Sequence, residues 1–110
     1  MTDLSQPASP SGFDLEFHSE IVKTRCFGDV TVRDVGADTL ERIATRSADL
    51  KDIRAMMADL LCEAATGANG ERFTPDLLAR LPARAFQDRI NLLNAVARVN
   101  GVSADDVGKA

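Results

Sequence analysis

Tryptophan and tyrosine are absent from these 110 residues, and phenylalanine occurs only five times. A core built from this chain must rest on Leu, Ile, Val, Met and Ala. One histidine, His18, and two cysteines, Cys26 and Cys62, are little material for a metal centre, since zinc and its neighbours take three or four such ligands in close array. A Cys–His nucleophile pair drawn from them has no orienting third group or oxyanion element legible in the sequence. His18 reads as a surface residue among Asp14, Glu16 and Glu20, and the two cysteines as buried or partly buried, inert thiols. A phosphate-cradling loop is missing as well, because Gly67, Asn69 and Gly70 are not followed by Lys-Ser or Lys-Thr. The stretch Ala65 to Asp76 has Gly70 where a calcium-binding EF-hand loop has its glycine. Its first two ligand positions, Ala65 and Gly67, offer no side-chain oxygen, and the last is Asp76 instead of a bidentate Glu.

Long apolar runs are also lacking. No stretch approaches the ~18 residues expected of a membrane-spanning helix, and Met1-Thr2-Asp3-Leu4 lacks the basic start and apolar run of a secretory signal. Nor is there an excess of positive charge: the net charge is −4 and the pI near 4.9. Displacing counterions from nucleic acid, or binding an anionic membrane, requires a basic patch, and the arginines here alternate with Asp and Glu. These absences point to a cytoplasmic, non-enzymatic protein with reduced thiols, no cofactor, no metal, and no nucleic-acid or membrane partner.

What is present is 45% hydrophobic residues, the composition of one globular domain at this length. Residues 1–12 are rich in Pro and Ser and read as a flexible arm. From Phe13 the pattern turns to a period of two. Phe13, Leu15, Phe17 and Ile21 alternate with Asp14, Glu16, His18 and Glu20, predicting a half-buried strand with the phenylalanine side inward. Gly28-Asp29 and then Val30-Thr31-Val32-Arg33 supply a turn and a second strand, giving a hairpin that must pack on helices to be stable.

Helical signals fill the rest. Asp38 and Glu41 have capping-box spacing before Leu40, Ile43 and Ala44. After a break near Ser47–Asp49, a helix over 49–66 carries Leu50, Ile53, Met56, Met57, Leu60, Leu61 and Ala64 within roughly 140° of its circumference, and Gly67 stops it. Ala55, Ala58, Cys62 and Ala65 give that helix a second, small-residue side. Gly67-Ala68-Asn69-Gly70 reads as a turn. Thr74-Pro75 restarts a short helix bearing Leu77, Leu78 and Leu81. A last helix runs from about Ala83 to Asn100-Gly101, and residues 102–110 form a frayed tail. The expected fold is α+β, an N-terminal hairpin packed on about four helices over residues 13–101.

The last helix is apolar over about half its circumference. Phe86, Ile90, Leu93 and Ala97 form the tighter cluster and are expected to face inward. Leu92, Val96 and Val99 extend the arc, with Arg89 at its edge. These four, with the adaptable Met56 and Met57, are the expected partner-binding residues.

The order of segments resembles a known family. The hairpin leads through Asp34-Val35-Gly36-Ala37-Asp38 into a helix. After Gly67 come Phe73-Thr74-Pro75-Asp76-Leu77-Leu78-Ala79-Arg80-Leu81-Pro82, then Ala85-Phe86 and Leu92-Leu93-Asn94-Ala95-Val96. Over residues 13 to 101 this is similar to the small tail assembly chaperones of tailed bacteriophages and prophages, with Ala85 standing where that family usually has Asp. The resemblance implies a protein that coats the tape-measure protein, keeps it soluble and recruits tail-tube subunits; homo-oligomerisation is left open. The alternative is another helical interaction module, such as a virion connector component or a small regulatory adaptor. On this metal-free reading, excess chelator leaves the helical signal and the melting temperature unchanged, and a large loss of helicity on chelation contradicts it.

Overall fold

The computed structural model describes residues 12–48 and 53–102. It is an α+β fold in which a three-stranded antiparallel sheet packs against four helices. The elements run β1 (Ser19–Lys23), β2 (Asp29–Arg33), α1 (Ala37–Ala48), α2 (Ile53–Ala64), β3 (Ala65–Gly67), α3 (Pro75–Ala79) and α4 (Phe86–Asn100), with a 3-10 turn at Ala83–Ala85 before α4. Residues 1–11 of the expected 1–12 arm, residues 103–110 of the expected 102–110 tail, and Leu50 lie outside the described residues.

β1 and β2 form the expected hairpin, with Glu20 opposite Val32 and Val22 opposite Val30. The turn between them is closed by Thr24, whose hydroxyl accepts the Phe27 N–H at 2.9 Å and donates to the Gly28 carbonyl at 2.7 Å. The hairpin's phase is opposite to that expected. Val30 and Val32 are fully buried, so their cross-strand neighbours Glu20 and Val22 face the helices. Ile21 therefore points to solvent, and Phe13, Leu15 and Phe17 precede the strand in irregular backbone, all between 63% and 72% exposed. Two valines buried on β2 outweigh a row of larger side chains that belongs to no paired strand. Glu20 is held at the helices by a bidentate contact with Arg98 of α4.

β3 was not foreseen. Residues 65–67 leave the end of α2 and pair with β2, placing Val32 opposite Ala65 and Val30 opposite Gly67. The small residues let the strand lie flat over the core. A side chain at Gly67 would meet the Glu71 carboxylate at 2.5 Å. Glu71 in turn accepts the Asn69 N–H at 2.9 Å, and the chain turns back after β3 around that contact.

At α1 the capping box is not what starts the helix. Asp38 is already its second residue, and the carboxylate of Asp34 takes up the Gly36 N–H at 2.8 Å instead. α3 starts as its sequence dictates: Thr74 accepts the Leu77 N–H at 3.1 Å and Pro75 occupies the first turn. α4 ends at Gly101 in a left-handed conformation (φ 71°), where the Val102 N–H reaches the Ala97 carbonyl at 2.8 Å, the expected glycine stop.

α2 is the central helix, packing on α1, α3, α4 and β2. Met56, Met57, Leu60, Leu61 and Ala64 are buried as its periodicity predicts, joined by Ile43 of α1, Phe73, Leu78, and Leu92, Ala95 and Val96 of α4. Phe27 meets Phe73 edge-to-face at a 5.1 Å centroid separation, closing the hairpin end of the core. Leu60 is fully buried, so Leu60→Ala should cost about 2–5 kcal/mol in a denaturant titration. A loss below about 1 kcal/mol would mean the site collapses around the smaller side chain.

Candidate functional site

α4 is tied to the hairpin at both ends. Near its start, Asp88 is almost fully buried, the one buried charged side chain among the described residues. One of its oxygens accepts the Cys26 N–H at 2.8 Å, and both accept the Arg25 N–H at 3.1 Å. Burial by itself would raise the carboxyl's pKa. The backbone N–H groups of Arg25 and Cys26, with the Arg25 charge, outweigh it and hold the group below the usual carboxylate value. At the far end Asn100 accepts the Val35 N–H at 2.9 Å and donates to the Arg33 and Val96 carbonyls at 3.3 and 3.0 Å.

These two anchors set the roll of α4. Asp88, Leu92, Ala95, Val96, Val99 and Asn100 fall on one side at 100° per residue, and that side faces the sheet and α2. The flank beside it carries exposed Phe86 and half-buried Ile90, Leu93 and Ala97, while Gln87, Asn91, Asn94 and Arg98 face away from the core. The rotation therefore differs from the expected one, with the Leu92–Val96 side inward and the Phe86–Leu93 side on the flank. Leu92 and Val96 are fully buried, Met56 and Met57 are more than nine-tenths buried, and Val99 is half-buried against the core. Leu92, Val96 and Met56 thus belong to the core, contrary to the expected partner-facing role, and Val99 packs half-buried against it. Apolar bulk alone favours Phe86 and Ile90 inside; the hydrogen-bonding demand of Asp88 and Asn100 turns the Leu92 side in instead.

The Phe86–Leu93 flank of α4 does not lie bare on a convex surface. It forms one wall of an open groove of about 630 Å³. Met57, Ala58 and Leu61 of α2 make the other wall, Leu78 of α3 contributes at one end, and Arg54, Arg89 and Asn94 supply polar groups. Of the residues predicted from sequence, Met57 and Arg89 reach this site. The Arg89 guanidinium lies 5.8 Å from the centre of the Phe86 ring and donates to the Leu78 carbonyl at 3.5 Å. Phe86 remains 56% exposed. Ala58, from the small-residue side of α2, lets the groove floor lie close to the helix axis.

Elsewhere the chemistry-bearing residues stay apart. Among the described residues no three His, Cys, Asp or Glu side chains gather as a metal site, and no helix is long and apolar enough to cross a membrane. Ala65 and Gly67 lie in β3 while Asp76 is in the first turn of α3, so the EF-hand-like spacing does not form a loop around a cation. Cys26 is exposed, contrary to the expectation of a buried thiol, because Asp88 holds its backbone at the hairpin tip. Cys62 is half-buried, and burial, reinforced by Asp59 and Glu63, pushes its thiol up, which lowers its thiolate fraction and reactivity.

Compared with protein-family models, curated protein sequences and solved structures, the chain gives no match.

Asp88→Ala leaves the Arg25 and Cys26 N–H groups without their acceptor, and should cost about 1–3 kcal/mol at neutral pH. Because the folded-state pKa lies below the unfolded one, the stabilisation is complete above about pH 4 and is lost as the pH falls through the folded value. The gap between wild type and Asp88→Ala in urea titrations should therefore narrow below about pH 4. A gap independent of pH would show that the carboxylate charge is not what holds the hairpin.

Proposed function

We propose that this chain is a non-enzymatic protein-binding factor, a tail assembly chaperone of a tailed bacteriophage or prophage. In this role it binds the tape-measure protein, keeps it soluble and recruits tail-tube subunits, acting in the cytoplasm where particles are built. The observation that carries the reading is the open groove between α2 and α4, walled by Met57, Leu61, Leu78, Phe86, Ile90, Leu93 and Ala97. A groove floored by core residues, with the exposed Phe86 ring and half-buried Ile90 and Leu93 along its wall, is a surface for another polypeptide. The segment order over residues 13–101, similar to that chaperone family, supplies the identity of the partner.

The groove suits a chaperone's task. Its apolar walls take side chains by shape and area, with few fixed hydrogen-bond partners to dictate sequence, and Met57 adapts to different occupants. Arg54 and Arg89 favour segments whose polar positions are neutral or acidic. No proton transfer or covalent step is asked of any residue.

The test is coexpression with the tape-measure protein, scored as the tape-measure fraction remaining soluble and co-purifying. Leu93→Asp changes a half-buried groove residue and should shift stability by no more than about 1–2 kcal/mol, yet abolish co-purification. Leu92→Asp, one residue away, buries an unpaired carboxylate and should unfold the protein outright. If Leu93→Asp keeps the tape-measure protein soluble and bound, the groove is not the chaperone surface.

A further inference from the structure

The sheet has two edges, and only one of them is closed. At the β3 edge, Thr66 pairs with Arg72 and the Gly67 N–H donates to the Glu71 carbonyl at 2.8 Å. The β1 edge has no such cover among the described residues. Its ladder to β2 is bracketed by the Asp34 N–H on the His18 carbonyl and the Thr24 N–H on the Gly28 carbonyl, both at 3.0 Å. Bonded residues recur at every second position of an antiparallel pair. Glu20 and Val22 therefore bond to β2, while Ser19, Ile21 and Lys23 aim their N–H and C=O groups outward. Ile21, at the middle, is 63% exposed. Edge strands are commonly guarded by a proline, a bulge or a lysine held over the edge. β1 has neither proline nor bulge, and its one lysine, Lys23, is drawn back onto β2 by Asp29 at 3.4 Å.

We infer that β1 pairs antiparallel with β1 of a second copy, about a twofold axis at Ile21, joining the two sheets into one. Two features of the strand select a second copy. The first is hydrogen bonding. With Ile21 opposite Ile21 and Ser19 opposite Lys23, every outward N–H and C=O of both strands gains a partner, and the ladder ends where β1 ends. The second is charge. Glu20 falls opposite Val22 on the helix side, Ser19 falls opposite Lys23 on the outer side, and no like charges meet. Each Glu20 keeps its own Arg98. Neighbouring symmetric registers fail. An axis at Glu20 sets two carboxylates face to face. An axis at Val22 puts Ser19 opposite Arg25, whose N–H is already given to Asp88. An axis at Ser19 calls on Leu15 and Phe17, which lie outside the strand.

Residues opposite one another in such a ladder point to the same face, so both helical layers lie on one side of the joined sheet and the two Ile21 side chains meet on the other. A ladder this short buries less than about 1,200 Å², and the pair forms and separates readily. The interface is separate from the α2–α4 groove and does not rest on the groove's role.

The experiment is native-state amide exchange on the full chain alone, at about 20 μM and about 1 mM, with sedimentation equilibrium at the same concentrations. The Ser19, Ile21 and Lys23 amides should slow at least about 3-fold at the higher concentration. Glu20 and Val22, already bonded to β2, should change little. The average mass should rise above 11.8 kDa. Ile21→Lys sets two cations face to face across the axis; it should melt like dilute wild type, because the site is exposed, and stay monomeric. The exchange measurement needs no variant to fold. A wild type still monomeric at about 1 mM overturns the inference. So does a dimer whose three outward amides exchange as in the monomer, or one that survives Ile21→Lys, since either places the interface elsewhere, the groove included. Since no tape-measure protein is in the cell, a dimer seen here stands even if chaperone activity fails, and the reverse holds equally.

Discussion

The carboxylate of Asp88, almost fully buried and filled by the backbone N–H groups of Arg25 and Cys26, is the contact on which the arrangement of this protein turns. An ionised carboxylate in an apolar setting is tolerable only when its oxygens are taken up. The tip of the β1–β2 hairpin has two N–H groups in a row to give. Once they are joined, the first turn of α4 cannot roll without leaving a charge unsatisfied. Asn100, three turns later, fastens the other end of α4 to the residues that follow β2. A helix held at both ends against one hairpin has a single rotation open to it, and that rotation decides which of its two apolar stripes becomes core.

The consequences pass through α2. Because Leu92, Ala95 and Val96 fill the space between α4, the sheet and α2, α2 can give Leu60 and Ala64 wholly to the core while Met57, Ala58 and Leu61 also border the groove. The core is modest and almost without aromatic residues apart from the Phe27–Phe73 pair. The remaining phenylalanines stand on exposed surface, at Phe13, Phe17 and Phe86. A small domain that leaves its largest apolar side chains outside gives up burial that would have stabilised it. In the functional reading, that area stabilises complexes instead of the monomer.

Much of this was legible in the sequence, and the failures have physical causes. The hairpin, the stripe on α2, the Thr74-Pro75 start of α3 and the Gly101 stop of α4 each follow from local rules, and all are present. β3 was missed because Ala65, Thr66 and Gly67 carry little strand propensity; only pairing with the buried β2 makes them a strand. At Phe13, Leu15 and Phe17 alternation alone fixes a period but not a face, and the face is chosen by Val30 and Val32 across the hairpin. The roll of α4 differs from the expected one for a related reason. Asp88 sits among Leu92, Ala95 and Val96 when the helix is drawn as a wheel, and its presence there was a signal. Reading it requires knowing that a hairpin tip 62 residues earlier in the chain supplies its donors, which no local pattern contains.

The central claim is that hydrogen bonds to the hairpin fix the roll of α4 and so place Leu92 and Val96 in the core and Phe86, Ile90, Leu93 and Ala97 along the groove. Thiol labelling tests it most directly. With Cys26 and Cys62 replaced by serine, Leu92→Cys and Leu93→Cys are each labelled in native buffer. The account predicts that the thiol at 93 reacts far faster than the one at 92, which waits on opening of the fold. Removing the Asp88 carboxylate in the same background should shrink that difference. Equal rates at the two positions, or faster labelling at 92, would contradict the account.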